Sequence, residues 1–240
     1  MIISHKHKFI FLKSTKTAST SIEVSLASVC GEEDVVTPIT YEGLDPSYRH
    51  PVKNEKNSKK EKIFFEHMRP CEIYKLVDKT IWENYTKIVA IRNPWDRVIS
   101  HAFMKYSRCI EKNPEAKSLD LKSMLSAWTL GLRGRTVEGW YEIPGRRAFG
   151  PTLLYEWVNL KKVLGIDNCI DFFIRFEDLN KDFSELCQRL NIDPIELPFA
   201  KGNFRTERKH YTEYFDAETR GIVSELYRKD IEMFEYKFEN

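Results

Sequence analysis

The chain has 240 residues, 42% of them hydrophobic, 31% charged and 13% aromatic, which suits a globular protein with a full core and excludes a disordered or fibrous one. Lysine and arginine number 38 against 36 acidic residues, so a net charge of +2 gives no global drive towards nucleic acid or anionic lipid, and any anion site must be local. Five cysteines with no CxxC pair argue against a disulfide framework and a structural zinc site.

The first residues carry only a short apolar run, so neither a signal peptide nor a membrane span is expected, and a cytoplasmic location follows. His5 and His7 have no carboxylate or cysteine beside them to complete a metal site, and no metal role is expected anywhere. The apolar run Phe9–Leu12 predicts a buried strand, and Ile22, Leu26 and Val29 recur at helical spacing after it. Segment 63–65 predicts a second strand ending at Glu66 and His67. Segment 53–62 reads as a solvated lysine-rich loop. Segment 87–91 predicts a third strand, with Asn93 as helix cap, Pro94 in the first turn, and Val98, Ala102 and Phe103 on one helix face. Arginines and glycines mix in 133–150, which reads equally as an anion-binding loop or a plain surface loop. A fourth strand at 172–176 precedes a helix over 181–190 with a Phe183, Leu186, Leu190 stripe.

Strands alternating with helices imply right-handed crossovers and a mainly parallel sheet, giving an α/β three-layer sandwich in one domain, 1–240. Ligands bind beyond the carboxyl ends of such strands, where Lys16, His67 and Arg92 are each expected. Residues 8–26, KFIFLKSTKTASTSIEVSL, run strand, tight turn and helix in succession. Backbone amides at the turn and the helix dipole would favour an anion, Lys16 would add a full charge, and the hydroxyls of Thr17, Ser19, Thr20 and Ser21 could donate. Thr20 and Glu23 also fit a capping box that needs no ligand. GxxxxGK[ST] is absent, which removes the main support for a nucleoside triphosphatase.

The stretch TKTASTS, 15–21, resembles the PKTAGTS loop of the PAPS-dependent sulfotransferases (PAPS, 3′-phosphoadenosine 5′-phosphosulfate), with Thr15 in place of proline and Ser19 in place of glycine. RNPWDRVIS, 92–100, resembles the family's second anion element, and segments 170–192 and 209–238 resemble its RFE strand with the following helix and its closing helix. The resemblance implies a P-loop-like phosphosulfate-binding loop formed by Lys16, Thr17, Ala18, Ser19, Thr20 and Ser21. It further implies a 3′-phosphate site at Arg92 and Ser100, and cofactor contacts from Arg208, Lys209 and Tyr211. A guanidinium suits a phosphate because it bonds two oxygens at once, the alternative being that Arg92 pairs a carboxylate such as Asp96.

The reaction implied is transfer of a sulfuryl group from PAPS to an acceptor hydroxyl, a saccharide being the family-weighted acceptor, with PAP as the other product. Lys16 would stabilise the bridging oxygen. His67 is the expected general base, because imidazole titrates near neutral pH and falls at a strand edge; Glu66 is the runner-up, placed on the opposite face if the segment is extended. A small-molecule kinase and a non-catalytic anion-binding module are the competing readings.

Overall fold

The computed structural model describes residues 1–37, 64–112, 169–200 and 209–239, with positions 123 and 126. Five strands form one sheet in the order β3-β1-β2-β4-β5: β1 is Ile2–Ser4, β2 Phe9–Leu12, β3 Val35–Val36, β4 Thr86–Ile91 and β5 Phe172–Arg175. Strands β2, β4 and β5 are parallel, and β1 runs antiparallel to both β2 and β3. The parallel core expected from the strand–helix alternation is present, and an antiparallel flank is added to it.

Registers Leu12↔Val89 and Val89↔Phe173 bring the carboxyl ends of the three parallel strands to one edge. Side chains on both faces are buried. Phe9, Phe11, Ile88, Ala90, Phe172 and Ile174 pack with helix α1 (Ser19–Ala27) and a later helix over Leu179–Arg189, while Ile10, Leu12, Val89 and Ile91 on the other face are equally inaccessible. The sheet is therefore a middle layer, the arrangement that near-continuous apolar strands require.

The remaining helices, numbered in chain order, are α2 (Pro70–Tyr74), α3 (Lys79–Asn84), α4 (Pro94–Lys112), α5 (Leu179–Arg189), α6 (Ala217–Leu226) and α7 (Arg228–Phe234), with a 3-10 turn at Tyr211–Tyr214. Contacts divide the chain into two compact units, Met1–Ile91 with Glu156–Lys201, and Arg92–Tyr155 with Gly202–Asn240. The core of the second joins Trp95, Val98, Ile99, Ala102 and Phe103 of α4 to Tyr211, Tyr214, Val223 and Tyr227. No helix among the described residues is long and apolar enough to cross a membrane.

Three expectations change. The strand expected at 63–65 is not one over its described part: Phe64 and Phe65 are irregular, and Glu66 and His67 form a turn. His67 has φ 61°, a left-handed conformation that an extended strand does not allow. The closing helix is broken at Tyr227, where α6 ends and α7 begins; Asp216 caps the start of α6, its carboxylate accepting the Thr219 amide at 2.8 Å. The capping box read at Thr20 and Glu23 does not form, because α1 starts at Ser19 and Glu23 is buried in the interior. Segments 53–62 and 133–150 and residue Arg208 lie outside the described residues.

Candidate active site

Strand β2 ends at Leu12, and the chain must turn at once to bring α1 back over the sheet. Ser14 ties the turn to β4, its hydroxyl donating to the Ala90 carbonyl at 2.6 Å and lying 2.7 Å from the Thr17 hydroxyl. The Ser19 hydroxyl donates to the Ser14 carbonyl at 2.5 Å, closing the loop upon itself. Lys16 and Ala18 have φ of 62° and 60°, conformations that cost L-residues roughly 1 kcal/mol each and recur at ligand sites.

Such alternation of left-handed residues turns successive amides inward, the geometry of an anion nest. No side chain caps α1, so its first-turn amides take no side-chain hydrogen bond at the cap. Ser19, which replaces the glycine of the resembling loops, has no positive φ, so the replacement carries no backbone penalty. The hydroxyls expected to donate to an anion divide. Those of Thr17 and Ser19 belong to the loop's own frame, leaving these residues their amides; the Ser21 hydroxyl accepts the Ala200 amide at 3.3 Å and retains its own hydrogen. Lys16, Ala18 and Thr20 are half-buried along the loop.

Behind the loop lies a charge cluster with no counterpart in the expectations. Lys13, fully buried, places Nζ 2.6 Å from Glu23 Oε2 and also pairs with Glu66 Oε1. Glu23 Oε1 accepts from the Met1 ammonium at 2.5 Å, and Thr37 Oγ1 takes the same ammonium at 2.6 Å. Burial opposes the charge on Lys13, Glu23 and the Met1 ammonium. Glu23 and then Glu66 nonetheless hold Lys13 above its ordinary pKa, and the ammonium and Lys13 hold Glu23 below its own.

His67 reaches the same strand end. Its Nδ1 lies 2.9 Å from the Lys13 carbonyl, which can only accept, so Nδ1 carries the hydrogen and Nε2 the lone pair. Nε2 is 3.7 Å from Glu66 Oε1. Glu66 and His67 are therefore neighbours on one side of a turn, not on opposite faces of a strand. Burial, and next the Lys13 charge, depress the His67 pKa to about 4, so the imidazole is neutral at pH 7.

In the second unit, Arg92 precedes α4. Its Nε and Nη2 donate to Asp96 Oδ2 at 2.9 and 2.6 Å, the pairing that was the alternative to a phosphate contact. Asp96 and Ser100, four residues apart within α4, share one helix face; Ser100 is half-buried. Asn93 caps α4 through Oδ1, 3.1 Å from the Trp95 amide, as its position before proline predicts. Its Nδ2 donates to the Tyr211 hydroxyl at 3.3 Å and to the Lys237 carbonyl at 3.1 Å.

The Tyr211 hydroxyl in turn donates to the Lys237 carbonyl and accepts the Glu239 amide, and its ring packs edge-on against Phe238. Tyr211, expected at the cofactor, thus ties α4 to the C-terminal segment, because its polar end is fully engaged there. Lys209 is exposed. Among the described residues no group of three or more His, Cys, Asp or Glu side chains could hold a metal.

The sequence matches the family model of the Sulfotransferase family over residues 1–237. The chain belongs to that family. It is also similar to the crystal structure of a sulfotransferase from Alicyclobacillus acidocaldarius, with 17% identity over 95% of this chain and 98% of that one, at a TM-score of 0.40. No curated protein matches it. Sulfuryl transfer is the chemistry of the family, and the match spans both compact units.

In this sulfotransferase-family chain, Lys13 and Glu23 are the residues that sequence reasoning missed. A signal for Glu23 was present: with Leu26 and Ala27 it shares i, i+3, i+4 spacing, which places it on the buried face of α1. A buried carboxylate demands a buried cation, and the nearest lysine to the strand end is Lys13.

Proposed function

We propose that the chain transfers the sulfuryl group of PAPS to an acceptor hydroxyl on a saccharide, as one sulfotransferase domain spanning 1–240. The observation that carries this reading is the loop from Ser14 to Ser19, with left-handed Lys16 and Ala18 opening into an uncapped helix. Its donors are amides and an ammonium, with no carboxylate among them, which suits a phosphosulfate dianion.

PAPS, when bound, supplies the sulfuryl group and departs as PAP. The amides of residues 17–21 hold the anion, and Lys16 sets a positive charge against the oxygen on which charge develops. His67 Nε2 accepts the proton of the acceptor hydroxyl, for which its lone pair is available at neutral pH. Arg92 and Ser100 bind the 3′-phosphate, with Lys209 and Arg208 as further cationic contacts.

Calorimetry of PAP against AMP and ATP tests the nucleotide. Two charge-assisted bonds to the 3′-phosphate predict a preference for PAP of about 100-fold or more. Arg92→Ala removes most of that difference. Equal affinity for PAP and AMP overturns the 3′-phosphate site, and preference for ATP turns the reading towards a kinase.

A further inference from the structure

His67 poses a problem that its own position does not solve. A general base works best with a pKa near the operating pH, and burial beside a lysine has taken this one to about 4. The proton it receives must therefore be met by something at the moment of transfer. The groups facing the imidazole are the Lys13 carbonyl at Nδ1, the Glu66 carboxylate 3.7 Å from Nε2, the Lys13 ammonium and, further back, the Met1 ammonium.

We infer that Lys13 is a positioning residue for the base: its carbonyl fixes the hydrogen of His67 on Nδ1, and its ammonium, anchored on Glu23, holds the Glu66 carboxylate beside Nε2. This deepens the reading of His67 as general base and rests on it.

The proton count is simple. Neutral His67 gives its Nδ1 hydrogen to the Lys13 carbonyl, so the hydroxyl proton has one place to go, Nε2. The resulting imidazolium keeps its Nδ1–H on the Lys13 carbonyl, and the Glu66 carboxylate, 3.7 Å from Nε2, offsets part of the penalty of charging the ring. Lys13 Nζ pairs with the same Glu66 Oε1 that faces Nε2, so the lysine offsets the repulsion between that carboxylate and the nitrogen lone pair.

Glu23 does not approach the imidazole. Its carboxylate pairs with the Lys13 and Met1 ammonium groups and accepts the Thr37 hydroxyl at 3.4 Å, so it acts on the base by fixing Lys13. One lysine thus addresses both ring nitrogens, one through the main chain and the other through the side chain. The left-handed backbone at His67, φ 61°, is the conformation in which this turn presents its ring to the end of β2.

The two charges act on the ring with opposite signs. Nitrogen NMR of histidine-labelled full-length protein, with His67→Asn to identify the signal, reads both the tautomer and the protonated fraction. The expected result at pH 7 is a neutral ring with hydrogen on Nδ1. At pH 4.5 the protonated fraction rises in Lys13→Met and falls in Glu66→Gln, shifts of about one pH unit and about half a unit respectively.

A hydrogen on Nε2 in the unaltered protein overturns the inference, as do shifts of the same sign in the two variants or none in either. Should Lys13→Met not fold, the tautomer and Glu66→Gln decide, an unmoved or raised midpoint in the latter being the adverse result. Failure of the base reading shows elsewhere: turnover unchanged in His67→Ala retires His67 from the chemistry while leaving the tautomer where the Lys13 carbonyl puts it.

Discussion

The polar groups after β2 and those after β4 solve the same problem, keeping charge inside a fold, in opposite ways. After β2, Lys13 is paired with carboxylates 10 and 53 residues away in sequence, Glu23 on α1 and Glu66 in the turn before α2. After β4, Arg92 pairs with Asp96, four residues along its own segment. The long-range cluster can be assembled only by the folded chain, so its charges report on tertiary structure. The local pair joins residues four apart at the start of α4 and needs no distant segment to form.

Turnover should respond most sharply to changes in the first region. His67→Ala is expected to lower the rate by about two to four orders of magnitude with PAP binding nearly intact, and Lys16→Met by about a hundredfold. Both are read by single-turnover transfer beside PAP calorimetry. Equal loss of affinity and rate at Lys16 would make it a ground-state anchor, and a cooperative loss of melting temperature in His67→Ala would mark a packing histidine.

Acid should weaken the first region before the second. His67 has a folded pKa of about 4, below its ordinary 6.5, so its neutral form stabilises the fold fully above pH 6.5 and that contribution is lost as pH falls towards 4. Glu23, also lowered, has the same sign and loses its contribution as pH falls below the ordinary carboxylate range. Denaturant unfolding from pH 7 to 4 should show a decline to which His67 contributes at most about 3 kcal/mol. His67→Asn should flatten its upper part; a curve identical to that of the unaltered protein would contradict the assignment.

The smallest expected effect tests the local pair. If Arg92 grips a 3′-phosphate, Asp96 competes for the same guanidinium, and Asp96→Asn should tighten PAP by about three- to tenfold while AMP changes little. Equal tightening of both nucleotides would show a general change of field, and weaker PAP binding would mean that Asp96 orients Arg92 for its ligand.

The parallel strands, the helix after the loop and the Asn93 cap were legible because each is written in neighbouring residues. Phe9–Leu12 is apolar throughout, Ile22 and Leu26 keep helical spacing, and asparagine before proline is a start signal. Segment 63–65 misled for the same reason: a short apolar run followed by polar residues reads as a strand when nothing local announces a left-handed histidine. Strands β1 and β3 are three and two residues long, too short for periodicity, and exist by pairing with the hairpin partner and with each other.

By itself, the sequence determined the α/β class and the succession of strand, turn and helix around Lys16, because these follow one another within twenty residues and need only local forces to be recognised. Tertiary structure alone decided which hydrogen His67 carries, which face Glu23 takes, and that Glu66 stands beside the imidazole. Those depend on a carbonyl at residue 13 and an ammonium on the same residue, brought together with residues 23 and 66 by the turn that follows β2. Burial then magnifies what proximity has arranged, since a charge removed from water is governed by its few nearest partners.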